Sequence, residues 1–340
     1  MGRRLDNDIK VKRASDSDLF IHRGLTAEDR IVNQTNLYDL VQMDSPEAVL
    51  DEVLIVLRLI SPDYDVTPVT DAFMTTVNLY EGRYPGYQAC NTEYHDLNHI
   101  TDTFLVMARL IHGAVIDGGS FSDREIAIGL IAALLHDAGY IQEQHDSEGT
   151  GSKYTIIHVE RSMAFFGAYC KQYGLSNEEI AAGQNMIHCT DLNVDISTIP
   201  FQPTVVEVLG KMLGTADLLA QMSDRKYLEK LLFLYYEFKE GMVSGYESEV
   251  DILRKTVGFY DFIAQRLETA LDGVDRFILP HLVARWDIHV DLYHQAIQNQ
   301  KNYLHQILAI PDSDPRDYLR RDKVVDKVRK EYGKADKVSL

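Results

Sequence analysis

Cysteine is scarce. Cys90, Cys170 and Cys189 are the three in 340 residues, with no C-x-x-C spacing and no even set, which fits reduced thiols in a reducing compartment rather than a disulfide framework. Long apolar runs are lacking as well. None approaches the length needed to cross a bilayer, and Arg3-Arg4 leads into polar sequence rather than a signal-peptide core, so a cytoplasmic chain without a membrane partner is expected. Positive charge is outnumbered. The 34 Lys and Arg against 52 Asp and Glu give a formal charge of -18, which argues against a nucleic-acid backbone as partner. An anionic small substrate would need local positive charge, and metal ions can supply it.

Alternating strand patterns are also missing, so the expected fold class is all-α, a compact multi-helix domain. A chain of this length can bury one large core or two modest ones. Residues 1–44 mix charges with Ser, Asn and Asp and read as a polar arm, with a short helix near Leu25 to Leu40. Residues 45–310 read as the folded domain, and residues 311–340 as a charged, solvated tail. Ser45-Pro46-Glu47 supplies an N-cap, a first-turn proline and an acidic first turn for a helix through Val49, Val53, Leu57 and Ile60. Thr67-Pro68 opens a second helix, which runs to Gly82. Helices are further expected over Thr155 to Tyr173, from the capping box Ser176/Glu179 to His188, from Pro203-Thr204 through Leu219, over Leu228 to Phe238 and over Val250 to Leu271. Val274 to Leu308 reads as one long amphipathic segment, whose Tyr-rich apolar stripe could supply the face of a homodimer.

What stands out is the run Ile126 to Leu135, ten apolar or small residues that end in His136-Asp137. Ser122 with Glu125 three residues on is a capping box, and Gly139 is placed to stop the helix. A buried helix ending in histidine and aspartate needs something to compensate their polarity, and a metal ion that both ligate does so economically. Upstream, His95, His99 and Asp102 recur at i, i+4 and i+7 beside the apolar stripe Leu97, Ile100, Phe104, Met107 and Ile111. Downstream, Asp217 is flanked by small and apolar residues, a setting that again asks for a positive partner. Together His99, His136, Asp137 and Asp217 would make a two-histidine, two-carboxylate site on three helices. Nitrogen and oxygen donors without thiolate suit Zn, Fe, Mn or Mg with open positions for water better than a structural zinc. Such a site makes a nucleophile from water and neutralises an attacked phosphoryl group.

The order H...HD...D resembles the HD superfamily of metal-dependent phosphohydrolases. Further stretches resemble the class I cyclic nucleotide phosphodiesterases. Tyr94 to Asp102 is similar to their Y-H-N-x-x-H-A-x-D signature, Met186 to Leu192 to a hydrophobic-A-T-D segment, Ala216-Asp217-Leu218 to A-D-L, and Val257 to Ile263 to V-G-F-I-D-F-I. The resemblance runs from about residue 70 to 290. It implies a 3',5'-cyclic nucleotide as substrate and two divalent metals, the first held by His99, His136, Asp137 and Asp217, with Asp137 bridging to the second. It further implies in-line attack by a hydroxide held between the metals, His95 as general acid and Phe259 stacked on the base.

Three positions depart from that pattern. Tyr140 stands where H-D-x-x-H has its second histidine. Thr256 stands where the family has its purine-reading glutamine, and a short hydroxyl cannot make the paired amide contacts. His188, with His158, resembles the extra histidines by which HD-GYP-type proteins hold a second metal, so both are expected as ligands. The competing expectations are an HD phosphohydrolase acting on a linear nucleoside phosphate and a non-catalytic nucleotide-binding module.

Overall fold

The computed structural model describes residues 35–333. Thirteen α-helices and no strand are found among them, so the all-α expectation holds. Two helices form the centre. The first, α4 (Leu97–Ile116), is buried without a break from His99 to Ala114. The second, α5 (Asp123–Leu135), is buried from Ile126 to Leu135. From Ile126 on, α5 is apolar all round and has no face to give to water, while α4 is enclosed together with its polar Thr101, Asp102, Thr103, Arg109 and His112. Around α4 pack α2 (Pro46–Ile60), α5, α8 (Thr204–Ser223) and α11 (Ile278–Trp286), while α3 (Thr67–Tyr80), α7 (Asn177–His188) and α8 close around α5. By length and composition α4 could cross a membrane, but 89% of the relevant window is buried inside the fold. Each of its enclosed Leu and Ile side chains contributes roughly 1.5–3 kcal/mol as a core residue.

The helix starts follow local chemistry. Ser45 accepts from Ala48 N ahead of Pro46, and Ser122/Glu125 and Ser176/Glu179 form capping boxes bonded in both directions. Gly139 is not the left-handed stop that its position suggests. It lies in the 3-10 turn Ala138–Tyr140, and it is glycine because a Cβ there would sit 2.0 Å from the His158 carbonyl oxygen. That close approach lets α6 (His158–Gln172) press against the turn that follows His136-Asp137.

The remaining helices are α1 (Leu37–Leu40), α9 (Tyr227–Glu240), α10 (Glu249–Glu268), α12 (Leu292–Leu308) and α13 (Val324–Glu331). Among the described residues, those from Asn36 onward belong to one compact unit, so the folded part starts before the expected boundary at residue 45. Leu37, Val41 and Met43 are buried, and Tyr38 Oη donates to Asp224 Oδ1 at 2.9 Å. The earlier part of the expected helix near Leu25 to Leu40 lies outside the described residues. The segment 274–308 is two helices rather than one, because Asp287 is left-handed at φ 57° and Asp291 caps a new start. The apolar stripe of α12 packs within the fold, with Leu292, Tyr293, Leu304 and Ile307 buried. The tail beyond 310 is docked rather than solvated. Val324, Val325 and Val328 are buried, Tyr332 stacks on Tyr236 at 3.8 Å, and Arg316 pairs with Glu249.

Candidate metal centre

His136 ends α5, and Asp137 follows at the turn, so the buried helix delivers both side chains to its own C-terminal end. His99 sits in the first turn of α4, where Asp96 caps the helix by accepting from His99 N at 2.9 Å. Asp217 projects from α8. These four meet. His99 Nε2 lies 3.1 Å from Asp217 Oδ1 and 3.5 Å from Asp137 Oδ2. His136 Nε2 lies 3.5 Å from Asp137 Oδ2 and 3.7 Å from Asp217 Oδ1. With ligand bonds of about 2.1 Å, neighbouring donors round a tetrahedral or octahedral ion stand about 3.0–3.4 Å apart. The observed spacings lie on or slightly outside those edges.

Donor chemistry agrees with the spacing. His136 Nδ1 donates to Ala133 O at 2.8 Å, which fixes the proton there and turns the Nε2 lone pair inward. That Nε2 is buried and has no hydrogen-bond partner, and a buried polar atom left unpaired calls for a ligand. His99, His136 and Asp137 are a buried group that can hold a metal ion. The charges within the cluster show the same tension. Burial opposes a charge on His136, yet Asp137 and Asp217 outweigh it and push the imidazole up to about 9. Burial likewise opposes ionisation of Asp217, and the nearby imidazoles of His136 and His99 overcome it, holding the carboxyl far below its ordinary range.

Asp137 faces two ways. Its Oδ2 serves His99 and His136, while Oδ1 lies 3.6 Å from His158 Nε2. His158 Nδ1 donates to Thr155 O at 2.7 Å, so its Nε2 also offers a lone pair. The expected partner His188 is not brought in. It is half-buried as the last residue of α7, with no hydrogen bond or ion pair to the cluster, and the nearby cleft wall is formed by Thr190 and Asp191 instead. Asp102 is not a ligand either. It stands behind His99 beside Asp224 and Lys230, with a carboxyl raised by burial and by Asp224.

His95 lies in the loop before α4 rather than on the helix, and its ring remains 6.2 Å from that of His99. Its Nδ1 donates to Glu237 Oε2 at 2.7 Å. Glu237, buried on α9, also accepts from the backbone N of Glu93 and Tyr94 through Oε1, at 2.9 and 2.7 Å. Burial works against the charged imidazole of His95, but Glu237, aided by Asp137 and Asp217, raises its pKa. Tyr140 is stacked between His95 at 4.3 Å and His158 at 4.5 Å. Sequence reasoning missed Glu237. Its signal is a carboxylate at an apolar register position, three residues after Leu234 and four after the buried Phe233.

The cluster opens into a cleft of about 560 Å³, within the size range of small-molecule sites. Thr256 and Phe259 of α10 line it. The Thr256 hydroxyl donates to Ile252 O at 2.8 Å, so it is turned to its own helix. Phe259 is half-buried, 6.1 Å from Phe262.

A family model described as Npun_R2479-like matches residues 85–275, more than half of the chain. The chain belongs to the Npun_R2479-like family. No curated protein and no solved structure matches it. The stretch shared with the Npun_R2479-like family holds His95, His99, His136, Asp137, His158, Asp217, Glu237, Thr256 and Phe259, together with His188. It ends before α11, α12 and the docked tail, none of which lines the cleft.

Proposed function

We propose that this protein is a metal-dependent phosphohydrolase of the HD type that cleaves a phosphodiester in the cytoplasm. The observation that carries the reading is the convergence of both Nε2 atoms on both carboxylates, with the His95–Glu237 pair beside them. His99, His136, Asp137 and Asp217 would hold one divalent ion, and Asp137 Oδ1 with His158 would contribute to a second. Bound there, Zn, Fe, Mn or Mg supplies acidified water and neutralises phosphoryl charge. His95 supplies a proton. Anchored by Glu237 at Nδ1, it presents Nε2 to the cleft and protonates the departing ester oxygen. In the balanced reaction the oxygen of water bonds to phosphorus and the phosphorus–ester oxygen bond breaks. Its electron pair leaves with the alcohol oxygen, which takes the His95 proton, and the proton released from water restores His95.

Cyclic nucleotides belong to the same reaction class. The bond from Thr256 to Ile252 O gives no support to reading a purine edge through that residue. The test is a product assay on protein titrated with Mn or Mg, over cyclic purine and pyrimidine nucleotides, linear nucleotides and simple phosphodiesters, with Asp137→Ala as control. Ring opening or alcohol release that the control loses is the expected result. Release of phosphate or pyrophosphate from linear nucleotides alone would replace the diester reading with the monoester or triphosphate one. Nucleotide binding without turnover at any metal would refute catalysis and favour the signalling module.

A further inference from the structure

We infer that the cleft is shaped for a phosphodiester whose carbon part is apolar, an alkyl or aryl ester rather than a nucleotide. This rests on the phosphohydrolase reading of the same site. Away from the cluster the wall is formed by Leu231, Leu234 and Phe238 of α9, Val243 of the following loop, and Ile252 and Phe259 of α10. Four of the groups that could read the edge of a base, Gln221, Asn193, Lys255 and Thr256, are engaged with their own neighbours. Gln221 Nε2 donates to Asp217 Oδ1 at 3.2 Å while its Oε1 accepts from Tyr94 Oη at 2.9 Å. Asn193 donates from N and Nδ2 to Asp191 Oδ1, at 2.8 and 3.2 Å. Thr256 donates to Ile252 O, and Lys255 to Asp251 at 2.6 Å.

A base laid on the Leu231, Leu234, Phe238 and Ile252 wall would lose water at its polar edge and find few partners, whereas a hydrocarbon gains from the same burial. The rim carries the same preference. Met242, Ile156 and Leu192 border the opening from three separate segments and are 82%, 65% and 36% exposed. Single exposed apolar residues are ordinary, but three around one mouth form an apolar entrance, and methionine adapts to varied shapes.

The experiment compares two diesters with one leaving group, p-nitrophenyl hexyl phosphate and the p-nitrophenyl ester of thymidine 5'-monophosphate, on the Mn-loaded protein. The expected result is a kcat/KM at least roughly tenfold higher for the hexyl ester. Leu234→Asn and Val243→Asn should each reduce that preference through KM. Calorimetry on metal-free wild-type protein gives a readout independent of turnover. Hexyl phosphate should bind more tightly than thymidine 5'-monophosphate, with a negative heat-capacity change. Equal or faster cleavage of the thymidine ester, or equal binding of the two monophosphates, would overturn the inference and leave the hydrolase reading intact. Failure to cleave either ester while hexyl phosphate binds preferentially would overturn the hydrolase reading and support apolar recognition.

Discussion

Glu237→Gln separates the proton donation proposed for His95 from every other role proposed for the site. The substitution preserves shape, and the amide oxygen can still accept from Glu93 N and Tyr94 N, which Glu237 Oε1 now does. What changes is the group facing His95 Nδ1 at 2.7 Å: a carboxylate becomes an amide NH2, which cannot accept a proton from the ring. The imidazolium then loses a hydrogen bond to a charged partner in a buried setting. Such bonds contribute about 1.5–3 kcal/mol, which corresponds to roughly a 10- to 100-fold loss of the acid form. Glu237 raises the pKa of His95, so the acid form survives to higher pH in the wild type, and the alkaline limb of kcat should move to lower pH in the variant. The assay uses two diesters of one alcohol. One releases p-nitrophenolate, which departs without a proton, and the other releases an aliphatic alcohol, which requires one. Loss of about 10- to 100-fold should appear for the alcohol ester at neutral pH and be nearly absent for the nitrophenyl ester. Equal losses on both esters, or an alkaline limb that stays in place, would refute the assignment of His95 as acid and reduce Glu237 to a structural residue.

Two further outcomes test the framework around the site. In Gly139→Ala the new Cβ would meet His158 O at 2.0 Å and Arg161 Cβ at 2.9 Å, so α6 must back away, weakening the bonds from Gly139 N to Ser162 Oγ and from Arg161 Nε to Gly139 O. A loss of about 1–3 kcal/mol in urea denaturation is expected, together with weaker binding at the second metal position proposed for His158; unchanged stability would show that the turn is not clamped. Away from the site, His281 bonds His112 Nδ1 to Nδ1 at 2.9 Å, and burial, then Arg109, His112 and Arg285, hold its pKa down to about 2. The folded state therefore refuses a proton that the unfolded chain accepts near pH 6.5, so this contribution to stability is complete above that pH and falls on acidification. The slope is about 1.4 kcal/mol per pH unit, or about 2 kcal/mol by pH 5, and His281→Gln should flatten it in denaturation curves at pH 7.5 and 5; identical slopes in the two proteins would refute the assignment.

What the sequence revealed and what it hid divide along one physical line. Features whose partners lie within a turn were legible: the reciprocal caps Ser122/Glu125 and Ser176/Glu179, the start at Ser45-Pro46, and a buried helix that must deliver His136-Asp137 at its end. Features that depend on how one helix rotates against another were not. His158 and His188 looked equivalent as prospective ligands, yet the close packing at Gly139 brings the start of α6 and His158 up to Asp137, while His188 at the end of α7 makes no bond to the cluster. The break at Asp287 is hidden because the apolar period continues on both sides of it. The tail looked solvated because Val324, Val325 and Val328 are set among charges, and their register acquires meaning only where α9 offers a surface. Glu237 lies between these cases. The same reasoning that singled out Asp217, a carboxylate where packing calls for an apolar side chain, applies to Glu237 after Phe233 and Leu234. A carboxylate in such a register has to meet a cation or several N–H donors, and Glu237 meets both in His95 and the backbone before α4. Applied along every apolar stripe, that requirement finds the residues that orient a site as well as those that would bind its ligands.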